Sequence, residues 1–275
     1  MGEIIVFDFN TRTRKHVTTI ADVAPPPITV VSWNVRGIGA CVRNGGLDAV
    51  MGLAPSIVCL QEVQMMSADR VESLLSGYPY TVVSNLSMDR RYKAGTVIMS
   101  KEPPIATTRS FDDDPLAEEG RVITAEYAQY YVINVYVPAA ITTERMALKL
   151  EWWPLFLSYL RCLQRVKPCI VCGDYNATAS VMDADPRIVP ESPGCTYLER
   201  QLLQQLHNAG LVDTYRIRHP QDAGYTWYVP QDHTVGMRLD YVYVSRNMMH
   251  KVVDIRRLID IRTSDHIPLM MSIRS

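Results

Sequence analysis

Polar residues stand at the ends of apolar runs at five places, and together they could hydrolyse a phosphodiester. They are Ser32-Trp33-Asn34 after Ile28-Thr-Val-Val31, Gln61-Glu62 after Ile57-Val-Cys-Leu60, and Gly173-Asp174-Tyr175-Asn176 after Cys169-Ile-Val-Cys172. Arg238-Leu239-Asp240 opens Tyr241-Val-Tyr-Val244, and Ser264-Asp265-His266 precedes Ile267-Pro-Leu-Met270. Strand ends on one edge of a sheet can converge on a single pocket. That pocket would hold the carboxylates of Glu62, Asp174, Asp240 and Asp265, the amides of Asn34 and Asn176, and the His266 imidazole. Carboxylate and amide oxygens suit Mg²⁺, which keeps waters and takes phosphate oxygens. A spare carboxylate can take a proton from water, and a histidine beside an aspartate can be fixed in one tautomer or kept protonated against a phosphate. No HxxxH or four-Cys/His spacing favours zinc.

These positions need alternating strands and helices to carry them. Strands are expected at 28–35, 56–60, 80–83, 95–99, 121–127, 131–137, 169–173, 238–244, 252–258 and 268–273. Helices are expected at 46–53, 68–75 and 197–209, the last closed by Gly210, and across 142–166. Pro154 should kink that last stretch or begin a second helix. One of Trp152 and Trp153 should face the core. Asp112-Asp-Asp114 with Glu118 and Glu119 reads as a solvated acidic loop, and Asp183 and Asp185 as loop caps. Residues 1–27 stand apart as an extension, with β-like runs around a polar turn and Pro25-Pro-Pro27 as a stiff linker. The catalytic unit is expected over 28–275.

Composition narrows the class. With 47% hydrophobic residues among 275, the chain can build a large core, and no run reaches membrane-span length. The first residues resemble neither a signal nor a transit peptide. A net charge of −1 rules out a uniformly basic surface but leaves room for a local basic groove. Cys169 and Cys172 are spaced as CxxC within a strand, so they should face opposite ways and serve neither redox nor zinc chemistry. Reduced thiols fit an intracellular protein.

The ordered set resembles the exonuclease III-type apurinic/apyrimidinic (AP) endonucleases of the endonuclease/exonuclease/phosphatase superfamily. The resemblance runs from Ile28 to the C-terminus. Its marks are Ser32-Trp-Asn-Val35, Leu60-Gln-Glu62, Glu119-Gly-Arg-Val-Ile123, Asn134-Val-Tyr-Val-Pro138, Cys172-Gly-Asp-Tyr-Asn176 and Ser264-Asp-His266. Thr196 with Glu199-Arg200, Gly210-Leu-Val-Asp213 and Gly236-Met-Arg-Leu-Asp-Tyr241 are similar to the AP endonucleases more narrowly.

The resemblance implies an α/β four-layer sandwich of two mixed β-sheets flanked by helices. It also implies an intracellular, monomeric Mg²⁺-dependent DNA repair enzyme, with Mn²⁺ open. That enzyme would cut 5′ to abasic sites and could carry 3′→5′ exonuclease or 3′-phosphodiesterase activity. Glu62, Asn34 and Asp265 would attend the metal. Asp174 would orient or deprotonate the water, and Asn176 would steady the phosphate or that water. Tyr136 would donate to a phosphate oxygen, and His266, backed by Asp240, would contact the scissile phosphate. Trp227, Met237 and Leu239 would line a pocket for the abasic sugar.

Some positions depart from the family pattern. Arg36, Gln64, Lys93 and Ala139 stand where the family has other residues, and Arg36 and Lys93 are cations expected to restore phosphate contacts. These departures keep two alternatives open: a less selective or target-nicking endonuclease, and a weakly active nucleic-acid-binding relative.

Overall fold

The computed structural model describes residues 4–8, 13–17, 26–88 and 94–274. Strands β1 (Ile4–Asp8) and β2 (Thr13–Val17) pair antiparallel. The rest of the fold follows from period-2 alternation in strands that are apolar on both faces. Strands β3 (Ile28–Asn34), β4 (Ile57–Gln61), β5 (Thr81–Asn85) and β6 (Thr96–Ser100) belong to one six-stranded sheet, together with β15 (Val252–Arg257) and β16 (Leu269–Ile273). Its order is β15-β16-β3-β4-β6-β5. The second sheet is ordered β11-β14-β10-β9-β8-β7. It comprises β7 (Ala106–Arg109), β8 (Val122–Glu126), β9 (Tyr131–Tyr136), β10 (Cys169–Asp174), β11 (Leu211–Asp213) and β14 (Asp240–Ser245). Within each sheet one central pair is parallel, β3 with β4 and β9 with β10, and the other pairings are antiparallel.

The inner faces meet through Val30, Ile57, Cys59 and Ile98 from one sheet and Val132, Ile170, Cys172 and Val242 from the other. The outer face of the first sheet buries Val31, Trp33, Val58 and Leu60 under α1 (Ile38–Arg43), α2 (Gly46–Met51) and α3 (Ala68–Leu75). The outer face of the second buries Ile133, Val135, Val171 and Tyr243 under α4 (Thr143–Gln164) and α5 (Tyr197–Asn208). The result is the expected four-layer α/β sandwich. Cys169 joins the helix-side core and Cys172 the inter-sheet core, so the CxxC faces both ways. Among the described residues no helix is long and apolar enough to cross a membrane.

Several local expectations change. Helix α4 runs unbroken through Pro154 rather than starting again there. Its apolar face is long enough for packing to outweigh one lost backbone hydrogen bond. Both Trp152 and Trp153 are fully buried, because Phe111, Phe156 and Tyr175 supply aromatic neighbours on the two sides of the helix. Glu119 is not solvated: it is buried between Arg121 and Arg145. Asp183 caps Ser180 as expected, yet it is also a buried partner of Arg216 and Arg238. The strand expected from Arg238 begins at Asp240, because the Arg238 amide is drawn to the Asp183 carbonyl and the Leu239 amide to the Thr226 hydroxyl. Residues 227–237 form a bulged hairpin of β12 (Trp227–Val229) and β13 (Asp232–Met237). Helices α1 and α6 (Thr214–Arg218) and strands β7 and β11 were not foreseen; each is six residues or fewer.

Candidate active site

Strand parity builds the site. Residues 30, 32 and 34 of β3 face the opposite sheet, and so do 57, 59 and 61 of β4 and 132, 134 and 136 of β9. The same holds for 170, 172 and 174 of β10 and 240, 242 and 244 of β14. In each series the apolar members fill the core and the members at one common edge are polar. The registers bring those ends level, with Asn34 beside Gln61 and Asp174 flanked by Tyr136 and Asp240. Gly173 allows the close approach, since a Cβ there would lie 1.8 Å from the Val135 carbonyl oxygen.

Below the site lies a buried polar layer with no role assigned from sequence. The Gln61 side-chain nitrogen donates to Asn134 Oδ1 (2.7 Å) and to Ser32 Oγ (3.2 Å), while Asn134 Nδ2 donates to the Leu60 and Val97 carbonyls (2.9 Å each). The signal was present in the alternation, where three polar residues occupy inward positions. Such a layer locks the two sheets in register, because a slip would strand buried polar groups.

Asp174 is the centre of the site. It is 1% exposed, and both its oxygens are held: Oδ2 accepts from Asn34 Nδ2 (2.9 Å) and Oδ1 from the Asn176 amide (2.8 Å). Burial, reinforced by the Asp240 charge, pushes its carboxyl up to about 7, with His266 acting the other way. His266 Nδ1 meets Asp240 Oδ2 at 2.7 Å, and its Nε2 faces Asp174 Oδ2 at 3.9 Å. Burial opposes the imidazolium, but the Asp240 carboxylate prevails and lifts His266 to about 10. The ring is therefore a cation at neutral pH. Removing the Asp240 charge with Asp240→Asn should lower the His266 titration toward the ordinary imidazole range, because the charged form loses its partner. A ¹⁵N NMR titration of the ring nitrogens reads this directly, and an unmoved titration would show that Asp240 does not set it.

Glu62 stands at the mouth. Its Oε1 accepts from Tyr136 Oη (2.8 Å) and Asn34 Nδ2 (2.9 Å), and its Oε2 from Gln64 Nε2 (3.0 Å). Burial and the Glu62 charge push the Tyr136 phenol well above its ordinary value, so it keeps its proton as a donor. Asn34 Oδ1 accepts from the Arg36 amide, which orients the side-chain nitrogen toward the two carboxylates. Asp265 Oδ2 pairs with Arg36 Nη1 (2.8 Å) and accepts from Trp227 Nε1 (3.3 Å). Asn176 Nδ2 donates to the Val137 carbonyl (2.9 Å). Arg36, Glu62, Gln64 and Asn176 all hold φ between +46° and +53° without being glycine. Backbone strain of this kind costs of order 1–3 kcal/mol per residue and collects at functional sites.

A cavity of about 580 Å³ opens over these groups. Glu62, Tyr136, Asn176, Asp265 and His266 form its polar side, and Trp227, Met237 and Leu239 its apolar side. Arg36 stands on the rim, more than half exposed. Ile141, Pro193 and Gly194 also line it, without any mark in the sequence pattern. Asn34, Asp174 and Asp240 support the floor from behind. Lys93 lies outside the described residues. Asp174, Asp240 and His266 offer ligand atoms within 4.8 Å of one another, an acidic and histidine cluster that could hold a metal ion.

The Endonuclease/Exonuclease/phosphatase family model matches residues 31–266. The chain is 34% identical over 252 residues to Recombination repair protein 1 of Drosophila melanogaster, covering 88% of this chain but only 36% of that protein. It is 30% identical over 254 residues to the Exodeoxyribonuclease of Bacillus subtilis, covering 89% of this chain and 98% of the relative. An AP endonuclease structure from Archaeoglobus fulgidus superposes with a TM-score of 0.80 at 25% identity, covering 90% of this chain and all of that one. The chain belongs to the endonuclease/exonuclease/phosphatase family, in the exonuclease III-type AP endonuclease group.

Proposed function

We propose that the protein is a divalent-metal-dependent DNA repair nuclease that hydrolyses the phosphodiester 5′ to an abasic site and leaves a 3′-hydroxyl. The same centre would serve 3′→5′ exonuclease or 3′-phosphodiesterase cleavage. One observation carries this reading: Glu62, Tyr136 and His266 line one cavity with an apolar wall, and Asp174 and Asp240 lie directly beneath them, facing the two ring nitrogens of His266. Asp174 would orient the attacking water and take its proton, since its carboxyl titrates near neutrality. His266 as imidazolium and Tyr136 as phenol would donate to phosphate oxygens as charge develops there. Asn176 would steady the water or the phosphate, and Arg36 would add a cation at the rim.

The donor set fits a hard divalent ion. Carboxylate oxygens dominate, and Glu62 and Asp265 present theirs to the open cavity. Of the candidates, Glu62 at the open mouth is the better ligand, with Asn34 and Asp265 beside it. The protonated His266 is a poor ligand, so Asp174, Asp240 and His266 are better read as proton-handling groups. Mg²⁺ suits such a site, and Mn²⁺ would substitute. Bound there, the ion would neutralise charge on the phosphate oxygens.

The apolar wall of Trp227, Met237 and Leu239 suits a sugar without a base, which loses no stacking when it leaves the helix. Trp227→Ala should therefore lower the preference for abasic over intact duplex by about tenfold, an apolar-contact effect of 1–3 kcal/mol. Competitive cleavage of the two duplexes checks this, and an unchanged ratio would remove Trp227 from the pocket's selectivity. A panel of abasic, nicked, 3′-blocked and intact DNA, with Mg²⁺ or EDTA, tests the whole reading. Equal cutting of intact and abasic duplex would favour the less selective nuclease.

A further inference from the structure

Lys149 on α4 and Glu199 on α5 form an ion pair whose two side chains are both fully buried, with Nζ and Oε1 2.8 Å apart. Neither touches the cavity. Lys149 Nζ also donates to the Asn176 carbonyl (3.0 Å) and the Tyr175 carbonyl (3.4 Å), which uses its three protons. Glu199 Oε2 accepts from the Gly194 amide (2.8 Å) and from Thr196 Oγ1 (2.9 Å). The pair thus joins α4 to two separate segments, the turn after Asp174 and the loop that enters α5. Asn176 and Gly194, one from each segment, both line the cavity. Thr178 ties the same segments again, through its amide (2.7 Å) and hydroxyl (3.0 Å) to the Gly194 carbonyl.

Stability alone does not account for this pair. Removing two charges from water is costly, and apolar side chains of similar volume often do as well or better. What the charges supply is direction. Lys149 aims at two carbonyls of a turn whose Asn176 sits at φ +47°, and Glu199 aims at one amide of the opposite wall. A backbone held in the left-handed region persists only where its surroundings over-determine it.

We propose that Lys149 and Glu199 are a positioning pair, which sets the Asn176 backbone and the Gly194 wall relative to Asp174 and so couples the hydrolytic turn to the substrate pocket. The activity side of this proposal rests on the nuclease reading above; the coupling of the two segments does not.

The test compares wild type with Lys149→Met/Glu199→Leu, which replaces the pair by apolar groups. Thermal melting, single-turnover and steady-state cleavage of abasic duplex, and amide hydrogen exchange are measured on each. The double variant should melt within about 5 °C of wild type, as apolar replacements of buried pairs often do. Its kcat should fall by about tenfold to a hundredfold, with KM within about threefold, the size expected when reacting groups are misplaced. Exchange should rise by about tenfold or more over 175–177 and at 194–195, while β9 and β14 stay protected. Should the double variant fail to fold, Glu199→Gln, which keeps the shape but not the charge, carries the same readouts. A stable variant with wild-type kcat and wild-type exchange at both segments would overturn the proposal. If wild type itself cuts no abasic duplex, the nuclease reading falls, and unchanged exchange at both segments would still refute the coupling.

Discussion

Asp174→Asn should lower single-turnover cleavage of an abasic duplex by about three to four orders of magnitude, the upper range for loss of a positioned general base. Affinity for the duplex should stay within about twofold, because Asp174 lies under the floor and its loss is felt in the transition state. The substitution is nearly isosteric. With the retained oxygen accepting from the Asn176 amide, the new amide nitrogen faces Asn34, whose side chain must turn to present its oxygen. What disappears is the one carboxylate held from both sides and pushed up to about 7, where it can accept a proton at neutral pH. Rapid-quench cleavage and fluorescence-anisotropy binding, run on one protein sample, separate the two effects. A loss of binding equal to the loss of rate would instead make Asp174 a structural residue.

Arg238→Met should destabilise the protein by about 3–5 kcal/mol, the cost of leaving buried charge uncompensated. Arg238 is 1% exposed, and its guanidinium bridges Asp183 Oδ1 (2.8 Å) and Asp213 Oδ2 (2.7 Å), both nearly or fully buried. It also lies over the Tyr241 ring at 4.4 Å. Methionine would fill the space but leave two carboxylates facing each other, with only Arg216 still reaching Asp183. Because Arg238 immediately precedes Leu239 and Asp240, the loss should reach the apolar wall and the support of His266 as well. Urea denaturation measures the first effect. A shift below 1 kcal/mol would show that water or rearrangement satisfies the pair of acids.

The features most visible in the chain were those governed by local periodicity. Apolar strands ending in Asn34, Glu62 and Asp174 reveal both the sheet and its reactive edge, since in a strand the face of each side chain follows from its position. The two-sided burial of β3, β4, β9 and β10 is equally plain in their unbroken apolar runs. Pairings between distant elements were hidden. Asp183 reads as a capping residue until Arg238, 55 positions away, arrives beside it. Lys149 reads as an ordinary helix lysine until Glu199 meets it from α5. Glu119 looks solvated in an acidic run because Arg145 joins it only through the fold. Arg36 was legible as a departure, but its engagement with Asp265, 229 residues on, was not. Charge pairs of long sequence separation leave no periodic trace, whereas a strand end does.

The most direct measurement uses a duplex with one abasic site, labelled on either strand end, incubated with stoichiometric protein in Mg²⁺ and in EDTA. Incision on the 5′ side of the lesion, leaving an extendable 3′-hydroxyl, in Mg²⁺ alone is the expected result. An intact duplex after prolonged incubation with Mg²⁺ and with Mn²⁺ would contradict hydrolysis at the Asp174–His266 centre.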